Sequence, residues 1–200
     1  MVQLRNTGYP PNLEMPPTCR NHLFVSHVWS SGQDKAHAIT RNLQLYLPGL
    51  KIWIDVDSLE DIDRLEEYIA ESAVVLIFYT KGYFQSVNCR REFYQAIALE
   101  KPIIVIHEDD DEALEEMKHE CVTYCGVKFA NDGIDINRVL EIILEDPIRR
   151  IKTGSFSAET LKLVYIRILK NLPYYRDVMR EETICCKNGS AFQANFVMSR

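Results

Sequence analysis

The best-spaced candidates for chemistry lie in Ser86-Val87-Asn88-Cys89-Arg90-Arg91-Glu92. Ser86 is suited to cap a helix, because its hydroxyl can accept a hydrogen bond from a free amide of the first turn. Behind it Cys89, Phe93, Ala96 and Leu99 recur at helical spacing and define a stripe that should face a core. Glu92 stands at the edge of that stripe, so its carboxylate is expected to be partly desolvated. His119, Cys121 and Cys125 carry metal-ligating side chains, but no fourth ligand stands at a standard spacing. No metal site is assigned, and the cysteines read as reduced thiols in or near a core. The seven carboxylates between Glu108 and Glu116 read as the acidic start of a helix that complements its dipole. A calcium loop would need a glycine and a ligand spacing that are missing here.

The elements that must position these residues follow from the hydrophobic pattern. Leu23-Phe24-Val25 is a short strand, followed by a loop from Ser26 to Gly32. Ala36, Ile39, Leu43 and Leu47 mark a helix over 36–47, and Ile52-Trp53-Ile54 is a second strand. A short helix covers 65–72. Residues 74–79 are apolar throughout, as suits a central strand buried on both faces. A helix over 86–99, a strand over 102–106, a helix from 108 to about 120, a weaker fifth strand over 122–129 and a helix over 134–144 complete the alternation. That alternation predicts a parallel sheet with helices on both faces, a flavodoxin-like three-layer α/β fold of five strands in the order 2-1-3-4-5. Four of the eight prolines fall in residues 1–20, which read as an extended, flexible leader. The unit spans 21–146. Residues 147–182 read as a helical extension whose stripe of Leu161, Val164, Ile168 and Leu172 docks on it, and 183–200 as an irregular tail.

Composition excludes several classes. The chain has 200 residues, 46% hydrophobic and 26% charged, with 23 basic and 29 acidic side chains and a net charge of −6. No basic stripe speaks for nucleic acid, no apolar run is long enough to span a bilayer, and residues 1–20 lack the apolar core of a signal peptide. A cytoplasmic location, with no nucleic acid and no membrane as partner, is the expectation. Six irregularly spaced cysteines do not suggest a disulfide framework. Phosphate-cradling glycine loops and a G-x-S-x-G elbow are missing. A phosphoacceptor receiver would need carboxylates after its first strand, where Ser26-His27 stands.

In an open doubly wound sheet, ligands bind at the carboxyl ends of the strands where strand order reverses. For this order the crevice lies between the Ser26–Gly32 segment and residues 80–92. These segments carry a resemblance. Leu23-Phe24-Val25-Ser26-His27, Lys51-Ile52-Trp53-Ile54-Asp55, the S-x-x-C-x-x-E run from Ser86 to Glu92 and Gly126-Val127-Lys128-Phe129 follow in the order of a TIR (Toll/interleukin-1 receptor-like) domain, which the chain resembles from Asn21 to Leu144. The resemblance implies homotypic assembly with other TIR domains and, as in the members that are NAD⁺ nucleosidases, cleavage of NAD⁺ at the nicotinamide–ribose bond with Glu92 as the catalytic residue. NAD⁺ would be substrate, and no cofactor is implied. His27, Trp29, Ser30, Asp55 and Ser86 would line the substrate pocket. Nicotinamide is a good leaving group, so one carboxylate that holds the ribose hydroxyls and stabilises an oxocarbenium-like transition state suffices. The alternative is a non-catalytic adaptor that signals through TIR–TIR contacts. The chain departs from the family pattern after the second strand, where Leu59-Glu60-Asp61 is followed by Ile62 in place of glycine. The 58–64 loop, which commonly mediates assembly and covers the pocket, is thereby altered.

Overall fold

The computed structural model describes residues 2–4, 7–54, 64–108, 112–149, 158–176 and 184–186. In chain order these form β1 (Val2–Leu4), β2 (Asn21–His27), α1 (Trp29–Tyr46), β3 (Ile52–Ile54), α2 (Leu65–Ala70), β4 (Ser72–Tyr79), a 3₁₀ turn (Tyr83–Gln85), α3 (Val87–Ala98), β5 (Ile103–His107), α4 (Ala113–Asn131), α5 (Ile136–Ile143), β6 (Ile148–Arg149), α6 (Ala158–Lys170), α7 (Pro173–Arg176) and β7 (Ile184–Cys186). The main sheet runs β3-β2-β4-β5-β6, parallel throughout. All eight residues of β4 are buried, and it is hydrogen-bonded to β2 on one side and β5 on the other. Its uninterrupted apolar run belongs to a strand covered on both faces.

One face of the sheet packs on α1 and α6, and the opposite face on α2, α3, α4 and α5. Strand alternation sorts β2 between them: Leu23 and Val25 join the first core, Phe24 the second. Trp53 on β3 stacks between Phe24 and Tyr68, with ring centroids 4.6 Å apart on each side.

Residues 122–129 are not a strand. They lie within α4, where Ala113, Met117, Cys121, Cys125 and Phe129 are all buried at intervals of four. The β-favouring Val122, Tyr124 and Val127 are exposed on the other side. Periodicity outweighs local β propensity because five buried contacts on one helical face stabilise more than the preference of a few solvated side chains. The place beside β5 is taken instead by the two-residue β6, and α6 follows it onto the α1 face.

Ile148–Arg149 is therefore part of the sheet, and α6 is part of its covering layer. In α6 and just after it, Leu161, Val164, Tyr165, Ile166, Ile168, Leu169 and Leu172 are buried, and the Tyr165 hydroxyl donates to the carbonyls of Asn42 and Leu43 at the end of α1. The helix ends at Lys170, and Pro173 opens α7, where its missing N–H costs nothing. The leader is fixed at several points. Val2 and Leu4 are buried, β1 pairs antiparallel with β7, the Asn12 amide donates to the Tyr175 hydroxyl at 2.9 Å, and His22 Nε2 lies 2.9 Å from the Leu13 carbonyl. The strand Ile184–Cys186 falls where the sequence suggested an irregular tail. Among the described residues no helix is long and apolar enough to cross a membrane.

Candidate functional site

The sheet's carboxyl edge opens into a cleft of about 510 Å³ between the end of β2 and the start of α3. Three local features build it. Strand β2 extends two residues beyond Val25, so Ser26 and His27 are strand residues, and α1 begins directly at Trp29. Trp29 and Ser30 thus sit in a first helical turn and not in the loop that the sequence suggested. After β4, Gly82 adopts a left-handed conformation (φ 90°), which an L side chain resists, and turns the chain into the 3₁₀ turn. Ser86 then caps α3: its Oγ accepts from the Cys89 amide at 3.3 Å.

Glu92 lines this cleft although only 5% of it is exposed. The Ser26 hydroxyl donates to Glu92 Oε2, and Tyr83, fully buried, hydrogen-bonds to the same Ser26 oxygen. Burial, with the nearby Cys89 and Glu92, raises the Tyr83 pKa well above its ordinary value, so the phenol keeps its proton. Burial, reinforced by Glu92, likewise raises the Cys89 thiol, whose Sγ donates to the His27 carbonyl at 3.4 Å. A thiol held in that state is no nucleophile.

The structure brings together Glu92, His27, Trp29, Ser30 and Ser86 around the cleft. Asp55 and most of the 58–64 loop lie outside the described residues. Lys81 and Gln85, which the sequence reading passed over, also line the cleft. Lys81 is paired with Glu116 at 2.6 Å and is largely exposed, so the pair contributes little stability. Sequence reasoning also missed Ser26, Tyr83 and Glu120 as supports. Glu120, buried on α4, accepts from the amides of Gly82 at 2.7 Å and Phe84 at 3.3 Å. A lone acidic residue amid buried helix positions was the available signal. A groove of about 590 Å³ between α4 and α5 has polar lining residues, among them His119 and Asn137, that are all at least partly exposed. It holds no desolvated acid.

His27 supplies a pH test. It is buried, its Nε2 has no hydrogen-bond partner among the described residues, and burial lowers its pKa to about 4. The unfolded chain binds this proton near pH 6.5. Between the two values the unfolded state holds more protons, so stability falls as pH drops through that window and is fully present above it. The separation corresponds to about 3 kcal/mol, and buried His22, also lowered by burial, acts in the same direction. The melting temperature of the wild-type protein should decline more steeply between pH 6.5 and 4 than that of His27→Gln. Equal slopes would rule His27 out as the source.

Comparison with known proteins gives one family. The model of the TIR domain family matches residues 23–135, from β2 to the residue before α5. Among solved structures, the TIR domains of the activated Roq1 resistosome directly recognising the pathogen effector XopQ align at 15% identity over 73% of this chain and 98% of that one, with a TM-score of 0.48. A diflavin flavoprotein A3 from Nostoc sp. aligns at 17% identity over 77% of this chain and 92% of that one, with a TM-score of 0.40. Likeness at that level carries no argument about this chain. The curated proteins hold no match.

Proposed function

This chain belongs to the TIR-domain family, and from that premise we propose that it is a signalling protein that hydrolyses NAD⁺ at the nicotinamide–ribose bond. The observation that carries the reading is the buried Glu92 carboxylate lining the cleft at the carboxyl edge of the sheet, within the S-x-x-C-x-x-E run. In the reaction the bond between the anomeric carbon and the pyridinium nitrogen breaks, and its electron pair leaves with neutral nicotinamide. Glu92 stabilises the positive charge that builds on the ribose and hydrogen-bonds its hydroxyls. Water adds to the anomeric carbon and releases a proton, giving ADP-ribose. No general acid is needed, in keeping with a site whose buried Tyr83 phenol and Cys89 thiol keep their protons. Assembly with other TIR domains is part of the proposal, so specific activity rises with protein concentration.

Trp29 gives a test of substrate and site independent of turnover. It lines the cleft and is 39% exposed, whereas Trp53 is stacked between Phe24 and Tyr68. In the Glu92→Gln protein, which should bind NAD⁺ without consuming it, added NAD⁺ should quench tryptophan fluorescence. Trp29→Phe in that background should remove most of the quench. Saturable quenching that survives the loss of Trp29 would place the nucleotide elsewhere.

A further inference from the structure

Two hydroxyls to which the sequence reading gave no role stand in series behind Glu92. A serine hydroxyl carries a single proton. Ser26 donates its proton to Glu92 Oε2, so in the contact between Ser26 and Tyr83 the phenol must be the donor. The direction is fixed from Tyr83 to Ser26 to Glu92, and it stands only while Tyr83 stays protonated, as its complete burial ensures. Tyr83 is itself held from several sides. Its ring meets Phe84 edge-on with centroids 4.9 Å apart, and its amide donates to the Thr80 carbonyl at 3.1 Å. The amides of the residues on either side of it are bound by Glu120. Strand β2, the turn after β4, helix α4 and helix α3 thus converge on one carboxylate.

We propose that Ser26 and Tyr83 are positioning residues that lock the Glu92 carboxylate in its reactive orientation within the cleft. A glutamate side chain loses about 1.5–2 kcal/mol of rotamer freedom when ordered. At the edge of a helix stripe it would otherwise exchange with orientations directed to solvent. A charge-assisted hydrogen bond to one carboxylate oxygen removes that freedom before substrate arrives, and holding a reacting group in place accounts for a large part of catalytic rate. The inference rests on the reading of Glu92 as the catalytic carboxylate.

The test uses the full chain with Tyr83→Phe, Ser26→Ala and the double variant. Tyr83→Phe removes one buried oxygen and keeps the ring packing, so it remains informative should Ser26→Ala fail to fold. Two readouts are taken: kcat and KM for nicotinamide release, and the ¹³C carboxyl resonance of Glu92, identified by its loss in Glu92→Gln. Tyr83→Phe should lower kcat about 10-fold with KM changed by less than about 2-fold, and should shift the Glu92 resonance. Because Tyr83 acts through Ser26, the double variant should be no slower than Ser26→Ala alone. An unmoved resonance with unchanged kcat in Tyr83→Phe would overturn the inference, as would losses that multiply in the double variant. A wild-type protein that releases no nicotinamide would defeat the NAD⁺ reading instead. The carboxyl resonance would then decide the positioning by itself, an unshifted signal overturning it.

Discussion

Glu92→Gln should release nicotinamide from NAD⁺ roughly 10²–10³-fold more slowly than the wild-type protein, the usual loss when a group aimed at transition-state charge is removed. The substitution keeps the shape of the side chain, and its amide oxygen can still accept from Ser26. What it removes is the negative charge that an oxocarbenium-like state requires. KM should change little, because nicotinamide departure and not ground-state binding draws on that charge. Glu92→Ala is the harsher variant. Carboxylate and methyl differ in more than charge, and the alanine leaves the buried Ser26 hydroxyl without the acceptor of its proton, at about 1–3 kcal/mol of stability. Glu92→Ala should therefore lose at least as much activity and also melt lower, whereas Glu92→Gln should show its loss of rate at nearly the wild-type melting temperature. Wild-type turnover in both would show that the protein cleaves NAD⁺ without this carboxylate.

Truncation after Pro147 should leave a chain that does not melt cooperatively. It removes β6, exposing the edge of β5, and removes α6 from the face that it covers together with α1. Seven large side chains of the α6 region leave the core. At roughly 1.5–3 kcal/mol for each fully buried side chain, their loss is comparable with the whole stability of about 5–15 kcal/mol of an ordinary domain. A milder version is Ile168→Ala, a fully buried position, expected to cost about 2–5 kcal/mol. Circular dichroism melts of the full and truncated chains check both. A 1–147 fragment that melts at the temperature of the full chain would return α6 to the status of a docked appendage.

The central fold was legible because the strands that surround the site are apolar runs too short for helices, and β4 in particular has no polar interruption. Ser86 announced a helix start by chemistry that acts within three residues, and it caps as such a residue does. The end of the sheet was not legible. Strand β6 has only two residues, too few to show any period, and its pairing with β5 is a contact across more than 40 residues of chain. The run Val122-Thr123-Tyr124 drew the fifth strand to the wrong place, because β-favouring residues occupy the solvated side of α4 while the residues that decide its structure recur every fourth position. At the site, the burial of Glu92 follows from its spacing, but its partners do not. Ser26 and Tyr83 are 66 and 9 residues away in sequence, and only the convergence of β2, the turn after β4 and α3 brings the hydroxyls to one carboxylate. The position of His27 next to the cleft was legible, because it ends the first apolar run of the main sheet.

The most direct measurement is free nicotinamide over time from NAD⁺ with the purified full chain, concentrated or crowded to favour assembly, run beside Glu92→Gln under the same conditions. The account predicts nicotinamide release by the wild-type protein that grows with protein concentration and is reduced roughly 10²–10³-fold in Glu92→Gln. No nicotinamide from the wild-type protein under those conditions would contradict it and leave the chain a non-catalytic TIR adaptor.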